Sequence, residues 1–241
     1  MTAAELHLFE SGTLTLDGYA VPVPFYLIRH PDGDVVVDGG NPLAMARDPE
    51  AFLGEYADVF GVNMSEDQHC VPQLDRLGVS PADIRFVVQT HLHFDHIGTL
   101  GHFPDVEIVV HERELEAARA GEGYVGDFDD PTLGWRPVAG DHDLFGDGSV
   151  RLLETPGHSA GHMSLLIALE QTGPVLLTAD ASDNWHQWTG RHRPRAFHSR
   201  EQAAESMERL HEVAAEQDPL IVFGHDPRNW ASLQHAPDRY V

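Results

Sequence analysis

Four side chains able to bind a metal fall within six residues, His91-Leu92-His93-Phe94-Asp95-His96. Imidazoles and carboxylates are costly to bury unless something pairs with them, and a metal ion would pair with all four. His91 and His93 sit just past a strand-like run, where residues i and i+2 project to the same side and can grip one ion. Asp95 and His96 follow at the turn into the next element and point toward a second position. Three more candidates stand at the ends of other strand-like runs: His158 after Leu152-Leu153, Asp180 after Leu176-Leu177, and His225 after Ile221-Val222. Strand ends on one edge of a sheet converge. These side chains suffice for two ions of coordination number about four to five, once a bridging water is added. Taken singly, His158 or His225 reads as a core or surface histidine and Asp180 as a cap or turn residue, against a background of 17 histidines. The His91–His96 cluster does not reduce to a solvated face in that way.

Two divalent ions sharing a water lower its pKa to about 7, which allows hydrolysis without a protein nucleophile. The other nucleophiles are scarce. Cys70 is the single cysteine, which excludes an internal disulfide and a thiolate-built zinc site. All 15 basic residues are Arg, which excludes Schiff-base chemistry and a P-loop lysine. Gly157-His158-Ser159-Ala160-Gly161 matches the Gly-x-Ser-x-Gly elbow of serine hydrolases, but a helix should follow and Met163–Leu169 reads as a strand. That reading also leaves His91–His96 unexplained.

The elements that must position these residues read as an alternation of strands and helices, hence an α/β layered fold. Strand signals cover Val21–Arg29, Val35–Val37, Arg85–Thr90, Val106–Val110, Val150–Glu154, Met163–Leu169, Pro174–Ala179 and Leu220–Phe223. Helical pieces are expected near 49–60 and 66–77, the second beginning at Ser65, and over His111–Arg119. Phe52, Tyr56 and Phe60, at spacing four, are expected in the core. Ser199 with Gln202 predicts a capping box for a helix whose Ala203, Met207, Leu210 and Ala214 share one face. Residues 121–148 lack periodicity and are expected to form a mobile or functional cover over the site. Residues 184–198 gather Trp185, His186, Trp188, Arg191, His192, Arg193, Arg195 and His198 into a basic, aromatic patch.

With 241 residues and 41% hydrophobic content the chain is expected to form one domain, residues 1–241. A formal net charge of -24 disfavours nucleic acid and anionic membrane and favours a neutral or cationic small molecule. The opening residues lack a basic region followed by an apolar run, so the chain is expected to be soluble and cytoplasmic.

On these motifs the chain resembles the metallo-β-lactamase superfamily, whose signature is His-x-His-x-Asp-His. The resemblance runs from Asp38-Gly39-Gly40 through Thr155-Pro156-Gly157-His158 to Gly224-His225-Asp226. It implies a four-layer αβ/βα sandwich with a dinuclear site along one edge. One metal would sit on His91, His93 and His158, the other on Asp95, His96 and His225, with Asp180 and a hydroxide bridging them. Within the superfamily, the runs Pro174–Ser182 and Ile221–Asp226 look most like N-acyl homoserine lactonases and the related pyridoxolactonases. The implied reaction is opening of a lactone ring, N-acyl homoserine lactone above others, by attack of the bridging hydroxide. Asp95 would shuttle a proton to the leaving alkoxide. Zinc is the expected ion, and cobalt, manganese or iron fit the same ligands. Asp38 and His162 are expected to orient ligands, and Phe94, Trp185 and His198 to contact substrate. Two departures stand out: Asp183 occupies the position where these lactonases place a Tyr that hydrogen-bonds substrate, and Gly39 stands where Thr or Cys is usual. Asp183 is therefore counted with Asp95 among the catalytic candidates. The alternatives are a thioester or phosphoester hydrolase of the same fold, or a metal-dependent binding module without turnover. A homodimer is compatible with the sequence.

Overall fold

The computed structural model describes residues 2–16, 18–121 and 123–241. In chain order, strands β1 (Glu5–Leu16), β2 (Tyr19–Arg29) and β3 (Asp34–Val37) come first. Short helices α1 (Leu43–Arg47) and α2 (Pro49–Leu53), strand β4 (Gly61–Asn63) and helix α3 (Cys70–Arg76) lead to strand β5 (Ile84–Val88). Strand β6 (Glu107–His111), helix α4 (Glu112–Ala120) and strand β7 (Trp135–Val138) complete the first half. The second half runs through β8 (His142–Asp143), β9 (Val150–Glu154), β10 (Met163–Leu169) and β11 (Gly173–Ala179). Helices α5 (Trp185–Trp188) and α6 (Arg200–Gln217), strand β12 (Leu220–Phe223) and helix α7 (Pro227–Ala231) end it.

The strands form a seven-stranded sheet ordered β4-β1-β2-β3-β5-β6-β7 and a five-stranded sheet ordered β12-β11-β10-β9-β8. Both are mixed: β3, β5, β6 and β7 pair in parallel, as do β11 and β12, and the other pairs are antiparallel. The two-residue period of a strand sends alternate side chains to opposite faces. Val35 and Val37 of β3 and Leu165 and Ile167 of β10 thus meet in the core between the sheets. Val36 faces Cys70 and Leu74 of α3 on one outer side, and Leu166 packs with Met207 and Leu210 of α6 on the other. Helices outside, sheets inside, gives the four-layer αβ/βα sandwich. Sheets covered on both faces explain the near-continuous apolar runs in the sequence. No helix among the described residues is long and apolar enough to cross a membrane.

The structure departs from the sequence expectations in three places. Residues 49–60 hold one turn of α2 and a 3-10 turn at Gly54–Asp58 instead of a continuous helix. Tyr56 and Phe60 are only half-buried: they pack against the buried cluster of Leu14, Val23, Met45 and Leu53 and also line the site cavity described below. Residues 121–148 are not a uniform cover, for β7 and β8 lie within them as edge strands of the two sheets. Pro137 in β7 hid that strand, since proline is tolerated only at sheet edges. The expected capping box of α6 is half-formed: Ser199 Oγ accepts from Gln202 N–H at 3.3 Å, while Gln202 Oε1 has no partner.

Candidate metal centre

Five connections open on one edge of the sandwich: the turns after β3, β5, β11 and β12, and the β9–β10 loop. They carry Asp38, His91–His96, Asp180, His225 and His158, respectively. The turn after β3 is tight, with positive φ at Asp38 (63°), Gly39 (130°) and Gly40 (66°). A Cβ on Gly39 would come within 2.5 Å of Thr99 N, so here glycine permits the close approach of this turn to the Gly98–Thr99 backbone. At Gly157 a Cβ would lie 2.2 Å from Ala203 N, so the β9–β10 loop can press on the start of α6 only as glycine.

The ligand atoms gather in clusters whose members lie within 4.8 Å of one another: His91, His93 and His158 in one, Asp95, His96 and His225 in another. Asp180 stands between them. Its Oδ2 is 3.9 Å from His91 Nε2 and 3.3 Å from His158 Nε2, and its Oδ1 is 3.4 Å from His96 Nε2 and 3.2 Å from His225 Nε2. Donors around a tetrahedral zinc at about 2.1 Å stand roughly 3.4 Å apart, so these spacings suit one ion on each side.

Four of the five imidazoles are turned by a bond at the far nitrogen. His91 Nδ1 meets Thr90 Oγ1 (3.1 Å), His96 Nδ1 meets Asp38 Oδ2 (2.8 Å), His158 Nδ1 meets the Arg195 carbonyl (3.2 Å), and His225 Nδ1 meets the Pro22 carbonyl (2.8 Å). An Nδ1–H donated outward leaves Nε2 a lone pair directed at the cluster, the tautomer a metal requires. His93 presents Nδ1 instead, 2.9 Å from His158 Nε2. His91 Nε2, His96 Nε2 and Asp180 Oδ1 are buried without a hydrogen-bond partner. Stranded buried polar atoms are expensive, and a cation shared among them removes that cost, so the residues present fit a metal pair.

Burial and charge divide the two sides. Burial pushes His91 and His158 well below the ordinary imidazole range, and lowers His93. On the other side burial is outweighed by carboxylates: Asp180, Asp38 and Asp95 hold His96 well above that range, and Asp180 with Asp95 raises His225 to about 9.

Around this lies a supporting network. Asp38 Oδ1 also accepts from Thr90 N–H (2.7 Å) and Oδ2 from Thr90 Oγ1–H (2.9 Å), which fixes both His91 and His96. His162, lowered to about 3 by burial, stays neutral; its Nε2 accepts the Asp180 N–H at 3.0 Å and its Nδ1 meets Thr155 Oγ1 at 2.9 Å. Glu114 was not foreseen from sequence. It is fully buried, and it accepts from Leu92 N–H (3.0 Å), Tyr124 O–H (3.1 Å), Ser159 O–H (2.7 Å) and Gly161 N–H (2.8 Å), tying the His91–His96 turn to the β9–β10 loop. Ser159 is thereby engaged, and strand β10 follows it, so the serine elbow has neither a free hydroxyl nor its helix. Burial pushes the Cys70 thiol up to about 12, far from a thiolate.

A cavity of about 590 Å³ opens over the cluster, with His93, Asp95, His158 and Asp180 among its lining residues. Tyr56, Phe60, Phe94, Tyr124 and Phe197 give it aromatic walls, and Ala117, Ala120 and Ala160 leave room between them. Phe197, 68% exposed, stands edge-on to His93 (5.5 Å) and His158 (5.3 Å). Of the expected substrate residues, Phe94 and His198 line this cavity, but Trp185 does not. Trp185 is 52% exposed, packs on Phe223 and donates its backbone N–H to Asp226. Asp183 also requires correction as a catalytic candidate. It is 1% exposed and absent from the cavity lining; Arg195 Nη2 and Gln187 Nε2 both engage its Oδ2, while Oδ1 is buried without a hydrogen-bond partner, and the residue lies in one group of possible ligands with His158 and Asp180. Tyr56 and Phe60 are lining residues to which sequence patterns assigned no site role, whereas Arg195 and Phe197 fall within the 184–198 patch expected to shape the pocket and Tyr124 within the expected cover.

Comparison with known proteins agrees with this geometry. The chain is 39% identical to the N-acyl homoserine lactonase AttM of Rhizobium radiobacter, over the whole of both chains. It is 35% identical to the N-acyl homoserine lactonase AiiA of Bacillus thuringiensis subsp. kurstaki, over 99% of each. A solved N-acyl homoserine lactone hydrolase, with the product N-hexanoyl-L-homoserine at its catalytic metal centre, superposes with a TM-score of 0.93 at 34% identity and full coverage of both chains. The family model described as the metallo-beta-lactamase superfamily matches residues 18–225, and the chain belongs to that superfamily.

Proposed function

We propose that this protein is a dinuclear-metal hydrolase that opens the ring of N-acyl homoserine lactones. The observation that carries the reading is the division of Asp180, one oxygen facing His91 and His158 and the other facing His96 and His225, on the floor of a cavity with apolar walls. The relatives named above support the substrate class. Neutral imidazoles with carboxylates suit zinc, and cobalt, manganese or iron use the same donors.

His91, His93 and His158 would hold one ion and Asp95, His96 and His225 the other, with Asp180 shared. When bound, such ions acidify water to a pKa of about 7 and polarise a carbonyl oxygen. The chain's own groups do the remaining work. Asp95 borders the cavity and is positioned to carry the proton lost by the attacking water to the ring oxygen. The water oxygen bonds to the lactone carbonyl carbon, the ring C–O bond breaks, the ring oxygen takes that proton as a hydroxyl, and the acid formed releases its remaining proton to solvent as a carboxylate. The aromatic walls exclude water and receive the acyl chain.

The test is purified protein assayed against lactones, thioesters and phosphotriesters, with metal content measured beside each rate. Lactone opening that is lost on chelation and restored by zinc is expected. Turnover of a thioester or phosphotriester with every lactone left intact would sink the lactonase reading.

A further inference from the structure

Arg195 is the one arginine lining the cavity among the described residues, in a chain of net charge -24. Its guanidinium is held from behind. Asp183 Oδ2 lies 3.1 Å from Arg195 Nη2, and Asp183 is itself clamped by Gln187, which donates from Nε2 to that carboxylate (3.0 Å) and accepts the Asp183 N–H at Oε1 (2.8 Å). Asn184 caps α5 and so fixes Gln187 in place. The backbone is held as well: the Arg195 carbonyl accepts from His158 Nδ1, and the Asp183 carbonyl accepts the N–H of His225 at 2.8 Å. Both ends of the pair are therefore tied to metal-ligating residues.

A carboxylate at 1% exposure is a costly device if it only neutralises a surface arginine, because a buried charge loses its hydration. What the cost achieves is a cation fixed at the cavity wall with part of its fork unengaged. The Arg195 side chain keeps 37% of its surface, and among the described residues its other N–H groups meet no acceptor.

We propose that Arg195, positioned by Asp183, binds the acyl oxygen of the substrate and then the carboxylate that ring opening makes of it. This rests on the lactonase reading above. A guanidinium fork matches a carboxylate better than a carbonyl, so the contact strengthens as negative charge develops on the acyl group. Asp183 is a positioning residue: it touches Arg195 rather than the substrate.

The experiment uses metal-loaded protein and the variants Arg195→Met, Arg195→Lys and Asp183→Asn, with N-hexanoyl homoserine lactone as substrate and its ring-opened acid as inhibitor. For Arg195→Met, kcat falls about 10²-fold with KM within about threefold, as for removal of one oxyanion donor. The inhibition constant of the acid rises roughly tenfold or more, since a hydrogen bond to a charged group is lost. Metal content and melting temperature stay those of the parent. Arg195→Lys recovers part of both losses, and Asp183→Asn falls between. If Arg195→Met matches the parent in kcat and acid affinity, Arg195 is not the acyl-oxygen group. Loss of metal or fold in Arg195→Met that Arg195→Lys does not repair makes the pair structural and overturns the proposal. A parent that opens no lactone defeats the underlying reading and the proposal with it, a result distinct from an active parent with an unimpaired variant.

Discussion

On the floor of the cavity, His91, His96, His158 and His225 are at least nine-tenths buried and each engages a fixed acceptor through Nδ1. The wall from 184 to 198 is built otherwise: it holds one turn of helix, and Phe197 and His198 are exposed. The two are joined through the β9–β10 loop. Phe197 N–H donates to the His158 carbonyl and Ser199 N–H to the Gly157 carbonyl, so the wall hangs from the loop that supplies a metal ligand. The difference teaches that floor and wall have separate tasks. The floor is rigid because donors to a metal must be preorganised, and the wall is free to vary with the substrate.

Changes to the floor should therefore have the largest effects, and the largest belongs to Asp180. Asp180→Ala removes the one carboxylate that faces both clusters and leaves His91 and His158 without the carboxylate oxygen between them and the second cluster. Metal analysis should show depleted protein, and kcat/KM for lactone opening should fall about 10³-fold or more. Retention of full metal would remove Asp180 from the centre of this account. Asp38→Ala comes next, one layer further out. It frees His96 Nδ1 and Thr90, and metal affinity measured by chelator competition should fall roughly 10- to 100-fold.

Glu114→Gln probes the joint between the His91–His96 turn and the β9–β10 loop. It replaces one carboxylate oxygen with an N–H that faces existing donors, so a buried donor loses its acceptor. Denaturant unfolding of the metal-free protein should show a loss of about 2 kcal/mol. A change under about 0.5 kcal/mol would mean that the floor is held by its other bonds alone.

What was legible in the sequence follows the same division. His91–His96 could be read because four ligand-type side chains within six residues are costly to bury unless something binds them. His158, Asp180 and His225, each ordinary when taken singly, were read as ligands mainly through the family resemblance, and Asp38 and His162 as groups that orient them. Glu114 was invisible: in the first turn of α4 it looks like one more acidic residue in an acidic chain, and only the packing shows that its side chain turns inward. Tyr56 and Phe60 do pack on a buried cluster, but their spacing of four implied a helix, and the chain there is a 3-10 turn running toward β4 that also presents them to the cavity. Arg195 stood out only as part of a basic patch. No local pattern could indicate its pairing with Asp183, which depends on how the loop after α5 folds back over His158.

The smallest expected effects lie on the wall, and they separate its two exposed aromatics. Phe197 lines the cavity and stacks edge-on to two ligands, whereas Trp185 is not part of its lining. Phe197→Ala should raise KM for a long-chain lactone about threefold to tenfold, the worth of one aromatic contact of about 1 kcal/mol, with kcat and metal content held. Trp185→Ala should leave KM within about twofold, as expected of a surface residue outside the cavity. A Trp185 variant that disturbs KM more than the Phe197 variant would place the acyl chain along α5, and the cavity over the metal centre would then hold only the lactone ring.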